Sequence, residues 1–110
     1  MTTQPLPPVL DRYFAAQNAH DIDALVACFA PDAAVRDEGR DIVGPDAIRA
    51  WKMQTGAKYS ITVEPLAVES ENDRTRVVAR VAGNFPGSPL DLTYRFRLDG
   101  DRQIRALEIG

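Results

Sequence analysis

Two stretches in the second half of the chain, Arg74 to Phe85 and Leu90 to Leu98, set apolar and polar residues on opposite faces at a period of two, the signature of strands. In the stretch Arg74 to Phe85, Thr75, Val77, Ala79 and Val81 share one face, while Arg74, Arg76 and Arg80 share the other. Leu90 to Leu98 repeats the pattern, with Leu92, Tyr94, Phe96 and Leu98 opposed to Thr93, Arg95 and Arg97. Gln103 to Ile109 reads as a last strand, joined by the tight turn Asp99-Gly100-Asp101. Ahead of them Tyr59 to Glu69 forms a first long strand, in which Pro65 implies a bulge or an edge position, and Glu71-Asn72-Asp73 turns the chain. Gly83 to Pro89, rich in Gly and Pro, is a loop. Hairpin-linked strands of this kind expose one apolar face that something else must cover.

The first half of the chain supplies the cover. Pro5, Pro7 and Pro8 suit an extended lead-in to a helix over about Pro8 to Ala19, where Leu6, Val9, Leu10, Tyr13, Phe14 and Gln17 recur at helical spacing. After a break at Asn18-Ala19-His20, Asp21 is placed to cap a second helix with the stripe Ile22, Leu25, Val26 and Phe29, closed by Pro31. Gly44-Pro45 opens a third helix, Asp46 suits the positive end of its dipole, Ile48, Trp51 and Thr55 form its stripe, and Gly56 is expected to end it. The fold class that follows is α+β, three N-terminal-half helices on one face of a curved, mostly antiparallel sheet, in one domain over residues 1–110.

Between helices two and three lie Ala33-Ala34-Val35-Arg36-Asp37, a turn at Gly39, and a brief strand at Ile42-Val43. Alternation gives Asp37 the side of Ala33 and Val35, so if Val35 faces the interior the acid does too. A carboxylate on an apolar face must be paired, hydrogen-bonded or functional. Two readings stand open: a structural acid held by backbone amides or by an arginine such as Arg40, or a general base lining a pocket.

Several classes of function are excluded or disfavoured. A net charge of −3 and a pI near 5.0 lack the basic face a nucleic-acid binder needs. Cys28 is the only cysteine, so no intrachain disulfide forms and a reducing compartment is expected. Ala24 to Ala30, the longest apolar run, is too short to cross a bilayer, and Met1 to Pro8 lack the basic and apolar segments of a secretion signal. These absences make a cytoplasmic location the expectation. One histidine and one cysteine do not make a dedicated transition-metal site, and no nucleophile elbow, P-loop or dinucleotide glycine pattern occurs. No cofactor, metal, nucleic-acid or membrane partner is therefore expected. His20 is placed to interact with the last carbonyls of helix one, and Cys28 reads as a small buried hydrophobe.

The order helix–helix–strand–strand–helix–four strands is familiar, and so are RYFAAQNAHDIDALVACFAPDAAVRDEG, VGPDAIRAW and SPLDLTYRFRLDGDRQI. Over essentially its whole length the chain resembles the nuclear transport factor 2-like superfamily, in the SnoaL-like branch that also holds ketosteroid isomerases and polyketide cyclases. That fold hosts isomerases, cyclases, dehydratases, epoxide hydrolases and non-catalytic association domains, so the resemblance carries fold further than function. It implies a cone-shaped sheet around a mostly apolar pocket. It also places Tyr13 at the isomerases' oxyanion tyrosine, Asp37 at their catalytic base, and Tyr94 where they keep a protonated carboxylic acid. The missing acid at Tyr94 argues against steroid isomerisation and leaves the base in place. Arg97-Leu98-Asp99 has the Arg-x-Asp spacing of the epoxide hydrolases, but at a turn and on the outward face.

Three expectations follow. The chain is a small-ligand pocket protein; as an enzyme it would be a cofactor-independent isomerase, cyclase or dehydratase using Asp37 as base on a carbonyl compound, with Trp51, Phe14, Phe29 and Phe96 lining the pocket. The alternative is a non-catalytic small-molecule-binding or dimerisation module of the same fold. By resemblance, two copies pair through the outer sheet face, where Arg74, Arg76, Arg80, Arg95 and Arg97 would need acids such as Glu64 or Glu108 to complement them.

Overall fold

Pro8, whose fixed φ suits a first helical turn, opens α1 (Pro8–Ala19). The helix ends where His20 takes a left-handed conformation (φ 56°) and its backbone N–H reaches the carbonyls of Ala16 and Gln17. The side chain of Asp21 then caps α2 (Ile22–Val26) by accepting from the Ala24 N–H at 3.1 Å, as the sequence indicates. The computed structural model describes residues 5–100 and 102–110, so the lead-in before Pro5 and Asp101 of the last turn lie outside the described residues.

Two expectations from local signals fail. The second helix stops at Val26, and Phe29 and Pro31 belong instead to β1 (Phe29–Asp37). Phe29 is at helical spacing from Leu25 and Val26, but its ring gains more by joining the aromatic core than a five-residue helix gains by one more turn. Pro31 falls where the register between β1 and its parallel partner shifts, so its missing N–H removes no ladder bond that the sheet needs. Gly56 does not end α3 (Pro45–Lys58), which runs past it to an extended cap at Tyr59. Gly56 keeps a negative φ, because Thr55 and the carbonyls around it continue the helical ladder; the Tyr59 N–H bonds the Thr55 carbonyl at 2.9 Å.

The strands are β1, β2 (Arg40–Val43), β3 (Ile61–Glu71), β4 (Arg74–Gly83), β5 (Leu90–Asp99) and β6 (Gln103–Ile109). They form one sheet in the order β2-β1-β6-β5-β4-β3, antiparallel throughout except for the parallel pair β1–β6. The β1–β2 hairpin turns on Glu38 and Gly39, both at positive φ (52° and 75°), which gives the strands a matching twist. Pro65 lies on the edge strand β3 beside a register shift, so both of its sequence readings hold together.

The alternating faces fall as the patterns require. Thr75, Val77, Ala79, Val81, Tyr94, Phe96, Leu98, Ile104 and Leu107 are buried beneath the helices with Val9, Leu10, Tyr13, Phe14, Leu25, Ile48 and Trp51. The arginines face the other way, and each of several meets an acid of the same chain: Arg76 with Glu69 at 2.8 Å, Arg80 with Asp91 at 3.1 Å and Arg97 with Asp73 at 3.4 Å. Arg74, Arg76, Arg95 and Arg97 border an open trough of about 680 Å³ across the outer face of the sheet. Among the described residues, no helix is long and apolar enough to cross a membrane.

Candidate active site

Asp37 is the last residue of β1. Its neighbours Ala33 and Val35 are buried, Ala34 and Arg36 are exposed, and Asp37 itself is half-buried, so the acid takes the interior side that alternation assigns. Its Oδ2 accepts a hydrogen bond of 3.0 Å from the indole Nε1 of Trp51, on the buried side of α3. No cation lies within ion-pair distance of Asp37 among the described residues; Arg40, opposite it in the β1–β2 ladder, points into solvent. A neutral donor fixes one oxygen of the carboxylate and leaves the other to act.

Sheet register aligns the second candidate with the first. Asp37 is level with Ile109 on β6, and Ile109 is level with Tyr94 on β5. Residues in one row of a sheet share a face, so Asp37 and Tyr94 both point at the helices from backbones two strands apart, about 9–10 Å. Tyr13 descends from α1 onto the same area and is essentially inaccessible to solvent. Burial holds the Tyr13 phenol well above its ordinary pKa, and Tyr94 and the charge of Asp37 push it further. Tyr94 is raised for the same reasons, burial first and Asp37 second. Both phenols are therefore firmly protonated at neutral pH and are donors, not bases.

The residues expected to line a pocket mostly pack on one another. The Tyr13 ring meets Phe14, Phe29 and Phe96 edge to face, with centroids 5.1, 5.9 and 5.6 Å away, and Tyr94 stacks on Phe96 at 6.1 Å. Such pairs each add about 0.5–1.5 kcal/mol beyond their area. Trp51 stands apart from that cluster, between Asp37 at its nitrogen and an ammonium on its face: Lys52 Nζ is 4.5 Å from the indole centroid. Asp37 lines neither the outer trough nor the small recess between α1 and α3.

Lys52 is the residue that sequence reasoning passed over. It lies four residues after Ile48, on the buried side of α3, and that spacing was its signal. Burial pushes its pKa down to about 8, against the pull of Asp37, whose charge favours the ammonium. Cys28 is buried; its thiol is raised by burial against the opposing influence of Arg12, and its S–H points at the Ala24 carbonyl 3.4 Å away. Among the described residues, no three of His, Cys, Asp and Glu are grouped to hold a metal ion.

Three helices under an open six-stranded, mostly antiparallel sheet place the protein in the α+β class of nuclear transport factor 2-like and cystatin-fold proteins. The chain belongs to the SnoaL-like domain family, whose model matches residues 10–106. It is similar to a candidate polyketide cyclase from Sinorhizobium meliloti, with 43% identity over 96% of this chain and 95% of that one, at a TM-score of 0.91. A Catenulispora acidiphila protein of ketosteroid isomerase-like fold, solved with trimethylamine, is 23% identical over 99% of this chain and 86% of its own, with a TM-score of 0.85. The epoxide hydrolase/cyclase-like enzyme of pyran ring formation in the polyether salinomycin shares the fold, with 20% identity, coverage of 92% and 85%, and a TM-score of 0.79. No curated protein matches the sequence.

Proposed function

We propose that the protein is a cyclase- or isomerase-type enzyme that moves a proton beside a carbonyl group of a small, largely apolar molecule. Asp37 is the base. Its carboxylate removes a proton from the carbon next to the carbonyl, and the bonding pair passes to oxygen as an enolate. Tyr13 and Tyr94 donate hydrogen bonds to that oxygen, where the charge develops. Return of the proton to a different carbon isomerises the molecule. Attack of the enolate carbon on a second carbonyl of the same molecule, with a proton delivered to the new alkoxide, closes a ring.

The observation that carries this reading is the Trp51–Asp37 hydrogen bond: an interior carboxylate is held by a neutral N–H and by no guanidinium. An arginine partner would tie up both oxygens and lower their basicity. The raised phenols support the donor roles, and the Sinorhizobium relative, named for cyclase chemistry, supports the reaction class.

The test is exchange of deuterium from solvent into a panel of ketones and β-keto esters. The parent should exchange above buffer, Asp37→Asn should lose about a hundredfold to ten-thousandfold, and Tyr13→Phe and Tyr94→Phe should each lose on the order of a hundredfold. A parent no faster than buffer on the whole panel removes the base role.

A second reading, a non-catalytic binding or association module, is favoured by the aromatic cluster that packs under α1 and by the absence of Asp37 from the walls of the outer trough and of the recess beside α3. Ligands that raise the melting temperature without exchanging deuterium would select it.

A further inference from the structure

We infer that Lys52 governs the charge state of the Asp37 carboxylate, acting through the Trp51 indole that both side chains touch. It is a positioning residue, and no atom of it need meet a substrate. The coupling stands on the three side chains alone; only its effect on rate rests on the proton-transfer reading.

The three groups are joined by two contacts on one ring. Lys52 Nζ lies 4.5 Å from the centroid of the Trp51 indole, and the Nε1 of that indole donates to Asp37 Oδ2 at 3.0 Å. An ammonium this close to an indole is attracted by the negative face of the ring. The cation draws electron density from the ring, which makes the N–H more polar and a better donor. The carboxylate at the N–H pushes density back toward the face beneath the cation, so each contact strengthens the other. Trp51 is buried, which leaves little water to screen the pair. Lys52 is half-buried, and among the described residues no carboxylate lies within ion-pair distance of its Nζ. The ammonium is therefore committed to the ring and to no competing anion.

The other charged and titratable groups around the three are engaged elsewhere or face solvent. Asp21 caps α2 through the Ala24 N–H, and Asp23 of α2 pairs with Arg49 of α3. His20 at the end of α1, and Glu38 and Arg40 just beyond Asp37, are exposed, while Asp41 of β2 meets Arg36. Tyr13 of α1 and Tyr94 of β5 feel the Asp37 charge and hold their protons past the ordinary phenol range. That leaves Asp37 and Lys52 to act on each other. Burial drives the Lys52 pKa down to about 8, and the charge of Asp37 opposes it by favouring the ammonium. By reciprocity the ammonium favours the carboxylate to the same degree. Below about pH 8 the cation holds Asp37 ionised and restrains its basicity; above that pH the cation is gone and the carboxylate is a stronger base.

Trp51 is the single tryptophan, so the NMR shifts of its ring nitrogen and ring carbons report on both neighbours from one residue. In the parent they should move in two steps, an acid one as Asp37 takes a proton and an alkaline one near pH 8 as Lys52 loses its own. Lys52→Met should abolish the alkaline step and move the acid step up by about half to one pH unit, the span for two charges several ångströms apart in a partly screened setting. Lys52→Arg keeps a cation that does not titrate in this range, so the acid step should return to the parent's position with no alkaline step. Asp37→Asn should abolish the acid step and move the alkaline step down by as much as Lys52→Met moves the acid step up. In deuterium exchange into ketones, the parent rate should climb a second time, about twofold to threefold, as Lys52 deprotonates. Lys52→Met should show the higher rate already at neutral pH, and Lys52→Arg should not climb. An acid step unmoved in Lys52→Met, or an alkaline step that survives it, overturns the inference. Failure of Lys52→Arg to restore the acid step reduces Lys52 to packing and overturns it too. The expected shifts in a parent that exchanges no ketone uphold the coupling and remove the base role from Asp37. Absent shifts in a parent that does exchange remove the coupling and leave the base role standing.

Discussion

Replacing Asp37 by Ala and Trp51 by Phe, singly and together, isolates the contact on which the candidate site turns. Asp37→Ala removes the acceptor and Trp51→Phe removes the donor of the 3.0 Å bond while keeping an aromatic ring in place. A hydrogen bond to a charged group is worth about 1.5–3 kcal/mol. Asp37 is half-buried, so water can partly replace the lost donor, which places the coupling near the lower limit, about 1–2 kcal/mol. Trp51→Phe should cost more than the coupling alone, because Trp51 is only 5% exposed and the smaller ring leaves unfilled space. The change in β-propensity at residue 37 recurs in the Asp37 single and the double variant, and the lost ring volume at residue 51 in the Trp51 single and the double, so both cancel in the cycle. Trp51 is the single tryptophan, so fluorescence disappears with it and urea titrations must be followed by far-UV circular dichroism. For a domain of this size each 1 kcal/mol also moves the melting temperature by about 4–8 °C. A coupling below about 0.5 kcal/mol would show that Trp51 does not hold the carboxylate in water, and Asp37 would then be an ordinary strand-end acid.

The two glycines most unlike each other give opposite expectations. Gly56→Ala should stabilise by about 0.5–1 kcal/mol, since the residue is helical with open space where a Cβ would go; Gly83→Ala should destabilise by about 1–3 kcal/mol, because its Cβ would stand 2.3 Å from the Ser60 carbonyl oxygen. Urea midpoints of the same sign for both would refute this. Stability should also vary with pH in a defined way. Between about pH 8, where folded Lys52 loses its proton, and 10.5, where it does so unfolded, the unfolded chain holds the extra proton, so stability rises with pH. From about pH 10 the unfolded chain loses phenolic protons that folded Tyr13 and Tyr94 retain, and stability falls. Urea midpoints measured from pH 7 to 11 check both limbs, and Lys52→Met should flatten the first. Finally, we propose that two copies pair through the outer sheet face, where in-chain acids already neutralise Arg76, Arg80 and Arg97. Light scattering at high micromolar protein and moderate salt should report a dimer, and a monomer would contradict it.

Much of this architecture is written in local pattern. The alternation in Arg74–Gly83 and Leu90–Asp99 needs no partner to be read, because successive strand side chains must point to opposite faces. The limits of α1 and β6 follow from proline, helical spacing and a turn, all local signals. The interior side of Asp37 was legible for the same reason: Ala33 and Val35 declare the buried face four and two residues earlier. What tertiary structure alone decided is whatever depends on residues distant in sequence. Phe29 leaves its expected helix because Tyr13 offers a better contact, and Gly56 stays helical because nothing around it calls for a left-handed turn. The partner of Asp37 is an indole fourteen residues away and not the arginine three residues on, a choice made when α3 docks on the end of β1. The same docking leaves Lys52 half-buried, with its ammonium over the face of the Trp51 ring and no carboxylate within ion-pair distance among the described residues. Side-chain periodicity is a property of the backbone, whereas pairing, desolvation and pKa belong to surfaces that exist only once the helices lie on the sheet.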